Sequence, residues 1–381
     1  MKLFELELYK CHSLPLQISF PYTILTKAIK LHHNLIRHIS TTIKMPPTNK
    51  YTEAHKLENL NGPGDARPTA LQIIKDESLL NSAPDKVFLV TGASSGIGVE
   101  TARAFAATGG KVYLTVRDLA KGEAACSSFL EPGRVELLQM DNNSLSSVRA
   151  AAKAFLSKSN KLNILVNNAG IMATPEGKTE DGFESQFGVN HLSHFLLFNL
   201  LKDTLLASST PSFHSRVVNV SSSGHIAAEV QFGNYGFEDG SYNPWKGYGQ
   251  SKTANIYMAN EIETRYGSQG LHGLSLHPGG IWTGLQKYVP EKMMEGWKSD
   301  KEVLKMMKSV EQGAATTVYA AVGKEWEGRG RVYLEDCAEA RKAPDGAEGG
   351  GATSGWKAHA FDKEKEGRLW RDSLVMVGLG E

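Results

Sequence analysis

Lys86-Val-Phe-Leu-Val-Thr91-Gly92-Ala93-Ser94-Ser95-Gly96-Ile97-Gly98 is the stretch on which the fold turns. Its first six residues are a short apolar run, the pattern of a strand buried on both faces of a parallel sheet. Residues 92–98 form a turn, and 99–107 continue as a helix with small, apolar and charged positions. Strand, glycine-rich turn and helix in that order make the setting in which a dinucleotide pyrophosphate is held. Gly92 and Gly96 permit backbone geometry closed to residues with a Cβ, and they let the chain approach the phosphates. Gly98 lets the helix pack closely on the sheet. The helix N-terminus adds unpaired N–H groups and a partial positive charge. The spacing, G-x-x-x-G-x-G, is one residue wider than the usual fingerprint.

Working outward, strands are expected at 111–116, 135–140, 162–167, 216–221 and 271–277. Helical stretches are expected at 122–130, 145–157, 187–201 and 251–266. This alternation argues for βαβ units, and so for one doubly wound parallel sheet of Rossmann type with helices on both faces. The domain is expected over 76–381. A lead-in helix is expected over 69–80, a flexible glycine-rich loop at 343–355 and a surface helix at 363–374. The 381-residue chain is large enough to bury a core without disulfides or metal. Its net charge of +1 gives no field for a nucleic-acid partner. Cys11, Cys126 and Cys337 are far apart and fit no zinc spacing, so they read as thiols in a reducing compartment.

The second strand should deliver a ribose discriminator at its end. Val116 ends it and Arg117 follows. A guanidinium suits a 2′-phosphate, which favours NADP(H) over NAD(H). Asp118 either points away or caps the next helix.

Tyr248-Gly-Gln-Ser-Lys252 puts a phenol and an ammonium one helical turn apart. A free tyrosine holds its proton too tightly for exchange near neutrality, and a nearby ammonium is expected to lower its pKa. Tyr248 could then pass a proton to or from a substrate oxygen. Upstream, Val218-Asn-Val-Ser221-Ser222-Ser223 ends a buried strand and offers a hydroxyl to the same oxygen. Asn167-Asn168-Ala169-Gly170 ends the fourth strand, so these motifs converge on one sheet edge.

Together these motifs resemble the short-chain dehydrogenase/reductase family. The likeness spans about 86–285 and includes Pro278-Gly279; Phe187 to Phe195 and Arg216 to His225 look like its retinol-dehydrogenase and WW-domain-oxidoreductase branch, although no WW domain is visible. The resemblance implies a catalytic set of Asn190, Ser222, Tyr248 and Lys252, with Asn190 holding a water that relays protons through Lys252. Ser221 stands as the alternative to Ser222. It also implies that Asp141 lies at the adenine, Asn168 near the ribose, Ile97 beside the pyrophosphate, and Ile281 and Thr283 at the carboxamide.

An NADP(H)-dependent enzyme acting on an alcohol, aldehyde or ketone is therefore expected. A catalytically silent dinucleotide-binding sensor or scaffold is the alternative, and an epimerase or dehydratase fits the glycine spacing less well. The loop 224–247 and the region 282–310 should cover the pocket. Leu285, Tyr288, Val289, Met293, Met294 and Trp297 suggest either a lipophilic guest or plain helix packing. His191, His194, His225 and His277 match no zinc spacing. A homodimer is left open. Residues 1–75 lie outside the resemblance, with 45–69 a polar loop or arm. Residues 1–44 are basic, and their uncharged run is too short to span a bilayer. They read equally as a targeting segment or as a translated leader before Met45. The cytoplasm is the default location and organelle targeting the other reading.

Overall fold

Every residue of Val87–Thr91 (β1) is buried, with Phe88 and Val90 facing one apolar layer and Val87 and Leu89 the other. Two-sided burial is why the run has no polar alternation before Thr91. The computed structural model describes residues 50–344, 346–347 and 354–380. β1 pairs in parallel with Lys111–Val116 (β2) and with Ile164–Asn167 (β4). Val135–Gln139 (β3) lies outside β2, while Ser215–Val220 (β5), Leu271–His277 (β6) and Val332–Glu335 (β7) continue beyond β4, all parallel. Ala338–Glu339 (β8) closes the edge antiparallel. The order β3-β2-β1-β4-β5-β6-β7-β8 changes direction between β1 and β4, which opens a crevice beyond the strands' carboxyl ends.

In chain order the helices are Ala70–Asp76 (α1), Ile97–Ala106 (α2), Leu119–Cys126 (α3), Leu145–Lys158 (α4), Ser193–Ser208 (α5), Pro244–Tyr266 (α6), Glu291–Ser299 (α7), Lys301–Met306 (α8), Ala315–Val322 (α9) and Lys363–Met376 (α10), with shorter turns between them. Ile73, Phe105 and Val318 bring α1, α2 and α9 onto one face of the sheet. Phe155, Phe195, Tyr257 and Trp370 bring α4, α5, α6 and α10 onto the other. Phe105 stacks on Phe88 with ring centroids 4.6 Å apart. Truncating such a ring to alanine costs about 3–5 kcal/mol.

Several elements differ from the sequence expectation. α6 starts at Pro244, not 251; Asn243 Oδ1 accepts from Trp245 N at 3.0 Å and Lys246 N at 3.1 Å, and Pro244 supplies a favoured first residue. The helix expected at 187–201 is a π-helical turn, Gly188–Leu192, running into α5. α3 starts earlier than expected because Asp118 caps it, its Oδ1 accepting from Lys121 N at 3.1 Å. α10 lies at the surface as expected, with Lys363, Glu364, Arg368 and Arg371 exposed, but it buries one face: Leu369 and Trp370 are buried, Trp370 meets Phe195 edge-on at 4.9 Å, and the buried Glu366 pairs with Arg331. Past residue 277, β7, β8 and α7 to α9 carried no clear sequence signal.

The arm is docked where it is described. Tyr51 is buried and donates to Asp76 Oδ2 at 2.8 Å. Cys126 and Cys337 are buried; Cys11 and the readings made on 1–49 lie outside the described residues. Among those residues no helix is long and apolar enough to cross a membrane.

Candidate active site

The turn after β1 needs its glycines. Gly92 and Gly96 have φ of 72° and 63°. A Cβ on Gly92 would stand 2.8 Å from Ala169 Cα, and one on Gly98 would stand 2.4 Å from Gly92 O. Gly96 caps α2 without a side-chain partner, so no side chain takes up the first-turn N–H groups of α2. Such a bare, Cβ-free helix start fits a pyrophosphate. Ser94 is half-buried in this turn and Ser95 is exposed. Thr91 Oγ1 accepts from Asn168 N at 2.9 Å and Ala169 N at 3.0 Å, while Asn168 Nδ2 donates to Thr91 O at 2.8 Å. The β1 and β4 ends are thereby locked side by side.

Arg117 is exposed just beyond β2, and Asp118 beside it is spent on capping α3. Asp141 follows β3; its Oδ1 accepts from Asn143 N at 2.9 Å. Neither Arg117 nor Asp141 touches the catalytic candidates through a hydrogen bond or ion pair. Thr283 and Ile281 come closer to the turn. Thr283 Cγ2 stands 3.3 Å from the Cβ position of Gly96, and both Ile281 and Ile97 pack on Gly313.

α6 brings Tyr248 and Lys252 beneath the end of β5, with exposures of 4% and 3%. Lys252 Nζ donates to Val220 O at 3.0 Å and lies 5.6 Å from the Tyr248 ring centroid. The Ser222 hydroxyl accepts from Gly224 N at 3.0 Å and flanks Gly224 together with the Tyr248 ring, the two lying 3.4 Å and 2.8 Å from its Cβ position. Ser221 is turned away, its Oγ donating to Lys252 O at 2.8 Å. Asn190, on the π-helical turn, accepts from Ile171 N at 2.8 Å and donates to Ile171 O and Ser251 Oγ, both at 2.9 Å. A Cβ on Gly170 would meet Asn190 Oδ1 at 3.1 Å and Lys252 Nζ at 3.4 Å.

The electrostatics depart from the sequence expectation. Burial pushes the Tyr248 phenol up to about 12, partly offset by the neighbouring Ser222 hydroxyl, and burial pulls Lys252 down to about 8. Desolvation penalises the charged form of each group. The ammonium spends its hydrogen bond on Val220 O rather than on the phenol, so its pull on the proton does not dominate.

His191, His194 and His225 are buried, and desolvation holds all three well below the usual range. His194 links Thr91 Oγ1 at 2.9 Å to Asn190 O at 3.0 Å. Among the described residues no cluster of three ligating side chains could hold a metal.

One side of Tyr248 is apolar. Met172, Ala173 and Val289 are buried with it, and Trp245, Leu285, Met294 and Trp297 pack against this group. Tyr288 and Met293 are exposed instead, at 42% and 38%. Sequence reasoning missed Met172, Ala173 and Trp245. Two signals were available: the first two stand two and three residues after Gly170, which ends the Asn167 to Gly170 motif, and Trp245 precedes Tyr248 by three residues on one helix face.

Residues 86–294 match the short chain dehydrogenase family model. The chain is 61% identical over 332 residues to the short-chain dehydrogenase/reductase prx1 of Penicillium roqueforti, covering 87% of this chain and 96% of that protein. It is 35% identical over 304 residues to retinol dehydrogenase 13 of Homo sapiens, covering 78% and 86%. Among solved structures, an uncharacterized protein from Mycobacterium paratuberculosis superimposes with a TM-score of 0.60 at 31% identity, covering 82% of this chain and 98% of that one. Glycine turn, sheet order, the Tyr248/Lys252 pair and these likenesses agree: the chain belongs to the short-chain dehydrogenase/reductase family of oxidoreductases.

Proposed function

We propose that this protein is an NADP(H)-dependent oxidoreductase that interconverts a lipophilic alcohol and its aldehyde or ketone. The observation that carries the reading is the meeting of the Ser222 hydroxyl, the Tyr248 phenol and the Lys252 ammonium at the sheet edge where the glycine turn opens. Bound nicotinamide supplies or accepts the hydride. The protein's part is the proton.

In the reducing direction Ser222 donates to the substrate oxygen and orients it, and Tyr248 gives its O–H proton to that oxygen as negative charge develops there. Lys252 stabilises the phenolate left behind. Asn190 fixes the turn at Gly170 over Lys252, where a water can resupply the proton from solvent. In the oxidising direction the same atoms run in reverse. Ser221 is the weaker choice because its hydroxyl is committed to Lys252 O. Gly92, Ser94, Ser95, Gly96, Ile97 and Gly98 would hold the pyrophosphate, Asp141 and Asn168 the adenosine half, Arg117 the 2′-phosphate, and Ile281 and Thr283 the carboxamide. The apolar wall of Met172, Val289, Leu285 and Trp297 supports a lipophilic substrate. So does likeness to a relative named for retinol, a lipophilic alcohol.

A panel of aldehydes, ketones and alcohols with each coenzyme, followed by nicotinamide absorbance, tests the reading. Tyr248→Phe should lose at least about a hundredfold in turnover while still binding NADPH. A parent protein that binds NADPH and turns over nothing would instead be a silent sensor.

A further inference from the structure

Residues 62–67 precede the stretch matched to the family, and the proposed hydride chemistry has no use for them. Yet Arg67 is only 3% exposed, rare for an arginine, and its guanidinium is fully engaged. Nε donates to Asp65 Oδ1 at 2.8 Å, Nη1 to Met306 O at 2.8 Å, and Nη2 to Met307 O at 2.6 Å and Gly62 O at 3.2 Å. The Met306 and Met307 carbonyls end α8, where C=O groups lack helical partners and carry partial negative charge. A buried planar fork is suited to capping them. The grip is doubled. Gly62 N donates to Lys305 O at 3.0 Å, and Gln312 Nε2 donates to Asp65 O and Arg67 O, both at 3.1 Å.

What this strap holds is the segment 282–306. That segment leaves the domain at Ile281 and returns at Lys308, and these two residues form a bridge. Lys308 N donates to Gly280 O at 2.8 Å, and Met307 Sδ lies 2.8 Å from the Cβ position of Gly280. Neither α7 nor α8 has a buried residue of its own. The residues that cover Tyr248 (Leu285, Val289, Met294 and Trp297) therefore ride on a weakly anchored flap whose returning end is gripped at its base. We propose that Arg67 is a positioning residue: through the 62–67 strap it sets how firmly the flap sits over Tyr248, and so governs substrate affinity without touching substrate or coenzyme. The substrate clause rests on the function proposed above.

Removing Arg67 alone would strand the Asp65 charge, so the test variant is Asp65→Asn/Arg67→Met. Hydrogen exchange on the coenzyme-free protein should show amides of 301–308 exchanging at least about tenfold faster, with those of α6 unchanged. KM for the best substrate of the panel should rise about tenfold, with NADPH affinity held within about twofold. Unchanged exchange at 301–308, or an equal rise everywhere, overturns the proposal. Should that variant fail to fold, the parent protein answers: in mild denaturant, 62–67 and 301–308 must open as one unit, and independent opening overturns the strap. Exchange needs no turnover. Coupled exchange in a protein that reduces nothing would thus sink the proposed enzyme and leave the strap standing.

Discussion

Gly224 and Tyr248 are packed so closely that a Cβ on residue 224 would stand 2.8 Å from Tyr248 Cε1 and 2.9 Å from Cδ1. Ser222 Oγ lies 3.4 Å from the same point. The phenol is thus wedged between helix α6 and the turn that carries Ser222. Residue 224 has no positive φ, so alanine there strains no backbone. Its only effect is to push the ring. We predict that Gly224→Ala lowers kcat by about a hundredfold, the cost of misplacing a catalytic group by an ångström. NADPH affinity should stay near that of the parent. Steady-state kinetics with a coenzyme titration checks this, and an unchanged kcat would mean the ring position is not critical.

Tyr248 and Lys252 set opposite ends of the pH dependence. Carbonyl reduction needs the phenol protonated and the lysine charged. Burial holds the phenol near 12 and the lysine near 8. For reduction, kcat/KM should be level below about pH 8 and fall above it as Lys252 loses its proton. Alcohol oxidation, which needs the phenolate, should climb with pH. A break in the histidine range would point to another acid, but His225 and His194 are held down to about 3 and 4.

How far the sequence alone could carry these arguments depended on burial. β1, β2 and β4 were legible because a strand covered on both faces is nearly continuous in apolar residues. The glycine turn, the Asn167 to Gly170 motif and the Ser222 turn were legible because each stands at a strand end, and the Tyr248/Lys252 pair because its spacing is one helical turn. The start of α6 was not, since Gly247 and Gly249 look like helix breakers. They are there for close packing: a Cβ on Gly249 would stand 2.8 Å from Gly224 O. The burial of Trp370 was not legible because its partners, Phe195 and Tyr266, are far away in sequence. The direction of the Tyr248 shift was misread for the same reason: spacing reveals the ammonium, but only the fold reveals the desolvation.

Arg117 should decide between the coenzymes. It is exposed, free of any ion pair among the described residues, and placed at the end of β2. A charged hydrogen bond to a 2′-phosphate contributes about 1.5–3 kcal/mol. Arg117→Ser should therefore raise KM for NADPH about ten- to a hundredfold with kcat unchanged, and barely alter NADH kinetics. Arg117→Asp should turn the preference toward NADH. Equal kinetics with both coenzymes in the parent would rule the guanidinium out as discriminator.

Lys252 should be a stability cost that the fold carries for function. Below about pH 8 its side chain is charged both folded and unfolded, and the native state bears the whole cost of burying that charge. Between about 8 and the ordinary lysine value of 10.5, the folded form is neutral while the unfolded chain still binds the proton, so this cost is relieved as pH rises. The depressed pKa corresponds to about 3 kcal/mol at neutral pH. Lys252→Met removes the charge and leaves no orphan, because Val220 O keeps its hydrogen bond from Asn255 Nδ2 at 3.1 Å. The variant should melt about 4 °C higher than the parent at pH 7, with the gap closing toward pH 10. It should also lose turnover by at least about a hundredfold. Thermal melts at the two pH values read the first effect and the substrate panel the second. A variant less stable than the parent at pH 7 would mean that contacts of the lysine stem outweigh desolvation of its head.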